Sequence, residues 1–234
     1  MTGGGDGADP REGGLRAILR IWPRVAGAVA FRYAAYAAMT ALALRAELRP
    51  APTLPDLVLA RVPYVPAVAN ANYLLWLAVY LPLSLGLLWL SARRFVRYTV
   101  TAGIVSLARG VTLLATGLGA PDPAHAVPGI AGHDPLQAFA ELLSPWQVFA
   151  RDAMAAYLTK DLFFSGHTAT TFLLLLYLWP HRRLRPLAVL GHLAVVASVF
   201  LAHLHYTIDV LGAYAVAFAV FALREGWPGA ARAR

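Results

Sequence analysis

Asp161-Leu-Phe-Phe-Ser165-Gly166-His167-Thr168 and, about forty residues on, His205-Tyr206-Thr207-Ile208-Asp209 each stand where a polar segment gives way to a long apolar run. Such a switch marks the mouth of a membrane helix, because a bilayer core is crossed by roughly 20 mainly apolar residues. The two stretches hold complementary chemistry. A spacing of four puts His205 and Asp209 on one face of a helix, where the carboxylate orients the imidazole. An oriented imidazole attacks phosphorus, and a second histidine, His167, protonates the departing oxygen. Ser165 and Gly166 fall at a helix start, where a hydroxyl and free backbone N–H groups favour an anion such as phosphate. The set reads as a site that moves a phosphoryl-type group with no metal and no cofactor. The plainer alternative, a buried polar pair that merely ties two helices, is weaker, since an ionisable residue inside a membrane is costly and is functional by default.

Ser165-Gly-His-Thr with His205-Tyr-Thr-x-Asp209-Val resembles the signature of the sphingomyelin synthase-related branch of the type 2 phosphatidic acid phosphatase (PAP2) superfamily. Arg109-Gly-Val-Thr112-Leu-Leu-Ala-Thr116-Gly-Leu118 is similar to that branch's Arg-x-x-Thr-x-x-x-Thr-x-Leu segment, and Tyr214 falls where the family has tyrosine. The resemblance runs from about Arg109 to Tyr214 and implies a polytopic membrane enzyme that exchanges lipid phosphate headgroups. By resemblance the donor is phosphatidylcholine or phosphatidylethanolamine, and the acceptor is ceramide or another lipid alcohol. Asp161 matches the family's acidic residue four positions before the serine, although Thr159-Lys160 stands where Cys-Gly commonly precedes that acid. His203 resembles a histidine that some members carry before the second motif, and is assigned no catalytic role. The phosphatase branch's Lys-x6-Arg-Pro string does not occur, which leans the reading toward transfer. A lipid phosphate phosphatase, with water as acceptor, stays open, as does a catalytically silent lipid-binding protein.

Composition sets the class. Of 234 residues, 59% are hydrophobic and 14% charged, with mean hydropathy +0.58. That is too apolar for an ordinary soluble domain. The net charge of +8 is nearly all arginine; on an apolar chain it points to a membrane surface ahead of nucleic acid. With no cysteine, disulfides and thiolate metal sites are out of reach.

Hydropathy then predicts an all-α, six-helix membrane bundle over residues 15–234, preceded by a disordered cytoplasmic tail, 1–14. The spans expected are Val25–Leu44, Ala69–Leu90 (kinked near Pro82), Phe95–Leu118, Ser165 to before Pro180, Leu184–Leu204 and Tyr206–Leu223. A short interfacial helix is expected at 15–24, a proline-studded loop at 45–68, and one or two amphipathic helices between Asp134 and Ala156. Thirteen arginines gather on one side of such a bundle (11, 16, 20, 24, 93, 94, 97, 182, 183, 185, 224, 232 and 234) against Arg45, Arg49, Arg61, Arg151 and Lys160 on the other. The positive-inside rule puts both termini in the cytoplasm and the motifs, with loop 119–164, on the exoplasmic face. A bacterial inner membrane is the expected home.

Three further groups carry two readings each. Arg109 reaches the phosphate or pairs with an internal carboxylate. Asp161 serves headgroup or proton relay, or is a helix N-terminal charge; Glu141 and Asp152 are further candidate acids. Trp146, Tyr157, Phe163, Phe164 and Tyr206 form an aromatic cage or an interfacial belt. Arg32, inside the first span, is a headgroup-facing cation or, the favoured reading, snorkels to the cytoplasmic surface. His192, His203 and His205 make a weak metal set without an acidic third ligand.

Overall fold

A computed structural model describes residues 14–126, 129–144 and 157–226. Among these the chain is all helical: α1 Gly14–Arg20, α2 Trp22–Glu47, α3 Pro66–Leu90, α4 Ala92–Ala115, α5 Pro135–Leu143, α6 Gly166–Leu178, α7 Arg185–Leu201 and α8 Thr207–Glu225. The tail expected at 1–14 lies almost wholly outside the described residues, as do Arg151, Asp152, Trp146 and the second half of the Asp134–Ala156 segment.

Local sequence explains the boundaries. Proline at the first helical turn, where the missing N–H costs nothing, opens α2, α3, α5 and α7. Ser91 ends α3 and begins α4, its hydroxyl accepting from Arg94 N at 3.4 Å, so these two helices turn on one residue. The arginines 93, 94 and 97 therefore lie within the first turns of α4 rather than ahead of it. Residues 48–65, rich in proline, are non-helical as expected. Pro82 sits inside α3.

Helices α2, α3, α4 and α8 are long and apolar enough to cross a membrane. Length alone does not reach the six spans expected: α6 has 13 residues and α7 has 17, or roughly 20 and 26 Å at 1.5 Å per residue, against a hydrocarbon core about 30 Å thick. The outer faces are apolar. Leu74, Leu81, Leu85 and Trp89 on α3, and Leu187, Leu190 and Leu193 on α7, are exposed, the arrangement a lipid solvent stabilises.

Helix α6 is the centre, packed by α3, α4, α7 and α8. It is apolar nearly all round, as a helix enclosed by others must be. Leu173, Leu174 and Leu178 join Leu87, Tyr98, Phe164, Ala213 and Ala217 in the main core. Between lipid-bathed helices, close packing and small residues supply the cohesion that water expulsion supplies elsewhere. At Gly110 on α4 an added Cβ would stand 3.1 Å from the Met39 Cα, so α2 and α4 touch backbone to backbone there. At the far end of the bundle, Glu225 joins α8 to α4 and α6 through Arg97 and the Tyr177 hydroxyl (2.7 Å).

Candidate active site

The site is built where α6 and α8 begin. Ser165 is the N-cap of α6, its Oγ accepting from Thr168 N at 3.4 Å. Its own N–H donates to the Asp209 carbonyl at 3.1 Å, so the two motifs are joined through the backbone. Asp209 is the third residue of α8 and fully buried; its Oδ2 accepts from Tyr206 N at 2.9 Å. His205 stands before the helix, with Nδ1 3.4 Å from Asp209 Oδ2. The expected shared helix face is thereby corrected: the chain turns at Tyr206, and the carboxylate meets the imidazole across a capping turn. The contact is close but His205 Nδ1 makes no hydrogen bond among the described residues.

His205 and His167 line one cavity of about 710 Å³, together with Gly166, Arg109 and Asp161. His167 packs edge-on against Trp76, ring centroids 5.3 Å apart. Ser165 and Asp209 lie behind this lining, fully buried; Ser165 shapes the helix start and leaves Gly166 to face the cavity.

For Arg109 the internal-carboxylate reading holds. Its Nη1 is 2.9 Å from Asp161 Oδ1, its Nε donates to the Phe164 carbonyl at 2.6 Å and its Nη2 to the Asp161 carbonyl at 3.0 Å. The guanidinium lies flat on Gly166, where a Cβ would come within 3.3 Å of Cζ. Arg109 therefore fastens the 161–164 segment and still borders the cavity. Thr112 adds a bond to the Phe163 carbonyl at 2.9 Å. Thr159-Lys160, the departure from the family pattern, is held by the buried Glu47: both backbone N–H groups donate to its Oε2, at 2.9 and 2.8 Å.

Of the two aromatic readings, the described residues do not form the cage. Phe164 belongs to the main core, Tyr157 packs with α5 and bonds Glu141 at 2.6 Å, and Tyr206 donates to the Gly119 carbonyl at 2.9 Å. None of them lines the cavity, nor does Phe163. The aromatic walls come instead from Tyr33 and Tyr36 on α2 and Tyr73, Trp76 and Tyr80 on α3. Their signal was in the spacing: 73, 76 and 80 follow i, i+3, i+7, one stripe of a helix. Arg32 does not snorkel. Its Nε and Nη1 are buried, and the residue lines the same cavity.

Of the histidines beyond the pair, His203 and His125 line the same cavity and His192 does not. His192 bonds Thr171 Oγ1 and the Tyr214 hydroxyl, both at 2.8 Å, away from His203 and His205. His203 Nδ1 is 3.1 Å from Asp122 Oδ2 and its Nε2 is 2.9 Å from the Val62 carbonyl. Asp122 also meets His125 Nδ1 at 2.8 Å, and Tyr64 stacks on His125 at 3.8 Å. Burial raises the Asp122 pKa, but hydrogen bonds from His125 and His203 outweigh it and hold the carboxyl below its usual value. Asp56 is a second loop anchor: Thr207 N and Oγ1 donate to its two oxygens at 2.6 and 2.9 Å. Its pKa too is lowered, burial being outweighed by the hydrogen bonds from Thr207, Leu59 and Val58. Sequence reading passed over Asp56, Asp122 and Glu47 because each acts across more than 80 residues of chain.

With this geometry in view, residues 160–225 match the family described as PAP2 superfamily C-terminal. The match supports a place in the PAP2 superfamily. A comparison with curated proteins gives no match. The matched PAP2 segment holds Asp161, Gly166, His167, His205 and Asp209, and runs from the loop pinned by Arg109 to the end of α8. Members of the PAP2 superfamily are generally enzymes acting on phosphate esters. The match reaches that chemistry and no particular branch of it.

Proposed function

We propose that the chain is a membrane lipid phosphotransferase that moves a phospholipid headgroup phosphate, of the phosphocholine or phosphoethanolamine type, to ceramide or another lipid alcohol. The observation that carries this reading is the meeting of His205, backed by Asp209, with His167 on one aromatic-walled cavity. His205 Nδ1 faces Asp209, which leaves Nε2 for phosphorus. Nε2 attacks, the bond from phosphorus to the glycerol oxygen breaks, and His167 gives that oxygen its proton. In the second half His167 takes the proton of the acceptor hydroxyl, the new P–O bond forms and the N–P bond breaks. Splitting one displacement into two in this way is covalent catalysis. Gly166, at the free N-terminal end of α6, offers its N–H environment to the phosphoryl oxygens, with Arg109 beside it.

In this account α6 and α7 cross the membrane with the four longer helices, both termini are cytoplasmic and the cavity opens on the exoplasmic side, the arginine distribution supporting that orientation. The PAP2-type phosphatase is the second reading, because the same histidines serve water as acceptor. The deciding assay uses purified protein and headgroup-labelled phospholipid with increasing ceramide or diacylglycerol. Transfer predicts a new labelled phospholipid at the expense of released headgroup phosphate; release unchanged by acceptor means hydrolysis.

A further inference from the structure

Arg32 lies ten residues into α2, roughly 15 Å from its start and thus near mid-membrane if α2 spans. A guanidinium at that depth is costly unless something accepts its hydrogen bonds. The protein leaves two of its nitrogens without one: Nε and Nη1 are buried and have no hydrogen-bond partner among the described residues. Ion pairs satisfy Arg97 and Arg109; Arg32 is left facing the cavity. It lies seven residues before Met39, whose Sδ is 3.4 Å from Arg109 Nη1, so roughly 10 Å deeper along the helix than the phosphoryl site. Tyr80, on the same cavity, is one turn below Trp76, which touches His167. The cavity thus holds Arg32 at a different depth from His167 and His205, joined to them by an aromatic wall, with Asp122, His125 and His203 also on its lining.

We infer that Arg32 is the recognition point for an acyl carbonyl oxygen of the lipid whose phosphate lies at the histidines, which makes acyl-linked lipids, and not polyprenyl phosphates, the substrate class. An occupant at that depth is a lipid, and inward of the phosphate a lipid's remaining acceptor oxygens are its ester or amide carbonyls. A guanidinium presents its N–H groups as a planar fork and meets two such oxygens at once. Donor phospholipid, diacylglycerol and ceramide all carry this group, so one arginine serves both halves of the exchange; a polyprenyl phosphate carries none. The inference rests on the proposed phosphoryl site for its orientation, but binding tests it without turnover.

The experiment measures binding of dioleoyl phosphatidylcholine, its diether analogue and a polyprenyl phosphate to detergent-purified wild type, Arg32→Leu and Arg32→Lys by native mass spectrometry. Wild type should prefer ester over ether lipid on the order of tenfold, the scale of a charge-assisted hydrogen bond. Arg32→Leu should bind both equally, and Arg32→Lys should keep part of the preference. Equal binding of ester and ether by wild type overturns the inference, as does an undiminished preference in Arg32→Leu or tighter binding of the polyprenyl phosphate. The wild-type comparison decides alone should the variants not fold. Ester preference without any headgroup transfer would refute the transferase reading and leave the Arg32 site standing.

Discussion

The Ser165 N–H donates to the Asp209 carbonyl at 3.1 Å, so the start of α6 and the start of α8 are held in register by one backbone bond. The consequence is chemical. His167 is the second residue of α6 and His205 lies two residues ahead of α8, and this bond fixes the acid/base with respect to the nucleophile. Two histidines that must act on one phosphorus need such a tie, since effective concentration falls steeply with misplacement.

From this pairing, His205→Ala and His167→Ala should each lower headgroup transfer by about 10²–10⁴-fold in protein that still purifies as folded. Their double variant should be little worse than either single, because a nucleophile and its acid act as a unit. Asp209→Asn keeps the acceptor for Tyr206 N but loses the charge facing His205, and should be impaired mainly in kcat. Thermal unfolding alongside the assay separates chemistry from folding; full activity in folded His205→Ala contradicts the mechanism.

The Arg109–Asp161 pair gives a stability prediction. Removing one partner leaves the other charge buried, which costs about 3–5 kcal/mol. Arg109→Met should therefore unfold well below wild type, and Arg109→Met with Asp161→Leu should recover part of the loss. A double-mutant cycle that shows no coupling would mean the 2.9 Å contact contributes nothing.

Much of this was legible beforehand, for reasons tied to particular residues. The start of α6 was readable at Ser165, a capping serine, whereas Pro66, read as part of the 45–68 loop, opens α3. That His167, His205 and Asp209 belong together was readable because each stands where an apolar run begins, and the structure does bring them together. The two readings of Arg109 were beyond sequence, since its partner is 52 residues away and either outcome suits the same residues. The cage reading of Phe164 and Tyr206 rested on their nearness in sequence to the histidines, which hid that their rings turn into the core and toward the Gly119 loop. The true wall comes from α3, about 90 residues before His167, and from α2, more than 130 residues before it.

Loop anchoring by Asp56 and Asp122 predicts an acid-side transition. Both carboxyls have folded-state pKa values below the unfolded value, so the stability they contribute is complete above that value, about 3.9, and is lost as pH falls through the lowered folded value. The difference in melting temperature between wild type and Asp56→Asn should be constant from pH 5 to 8 and shrink below about pH 4. A difference that instead grows as pH falls contradicts the assignment.

Sidedness is testable in a chain with no cysteine of its own. Cysteine introduced at Ala131 or at Arg183, both exposed, distinguishes the two faces. In intact cells an impermeant maleimide should label Ala131→Cys and spare Arg183→Cys until the membrane is opened. The reverse pattern would put the cavity on the cytoplasmic leaflet.

The central claim, that His205 carries the headgroup phosphate between two lipids, is met most directly by trapping that intermediate. Wild-type protein is mixed with headgroup-labelled phosphatidylcholine without added acceptor, quenched in base, and the label mapped on the chain. The account predicts a base-stable, acid-labile phosphohistidine at His205 that disappears into a new phospholipid when ceramide or diacylglycerol is added before the quench. Active protein that never becomes labelled, or label that persists in His205→Ala, would contradict it.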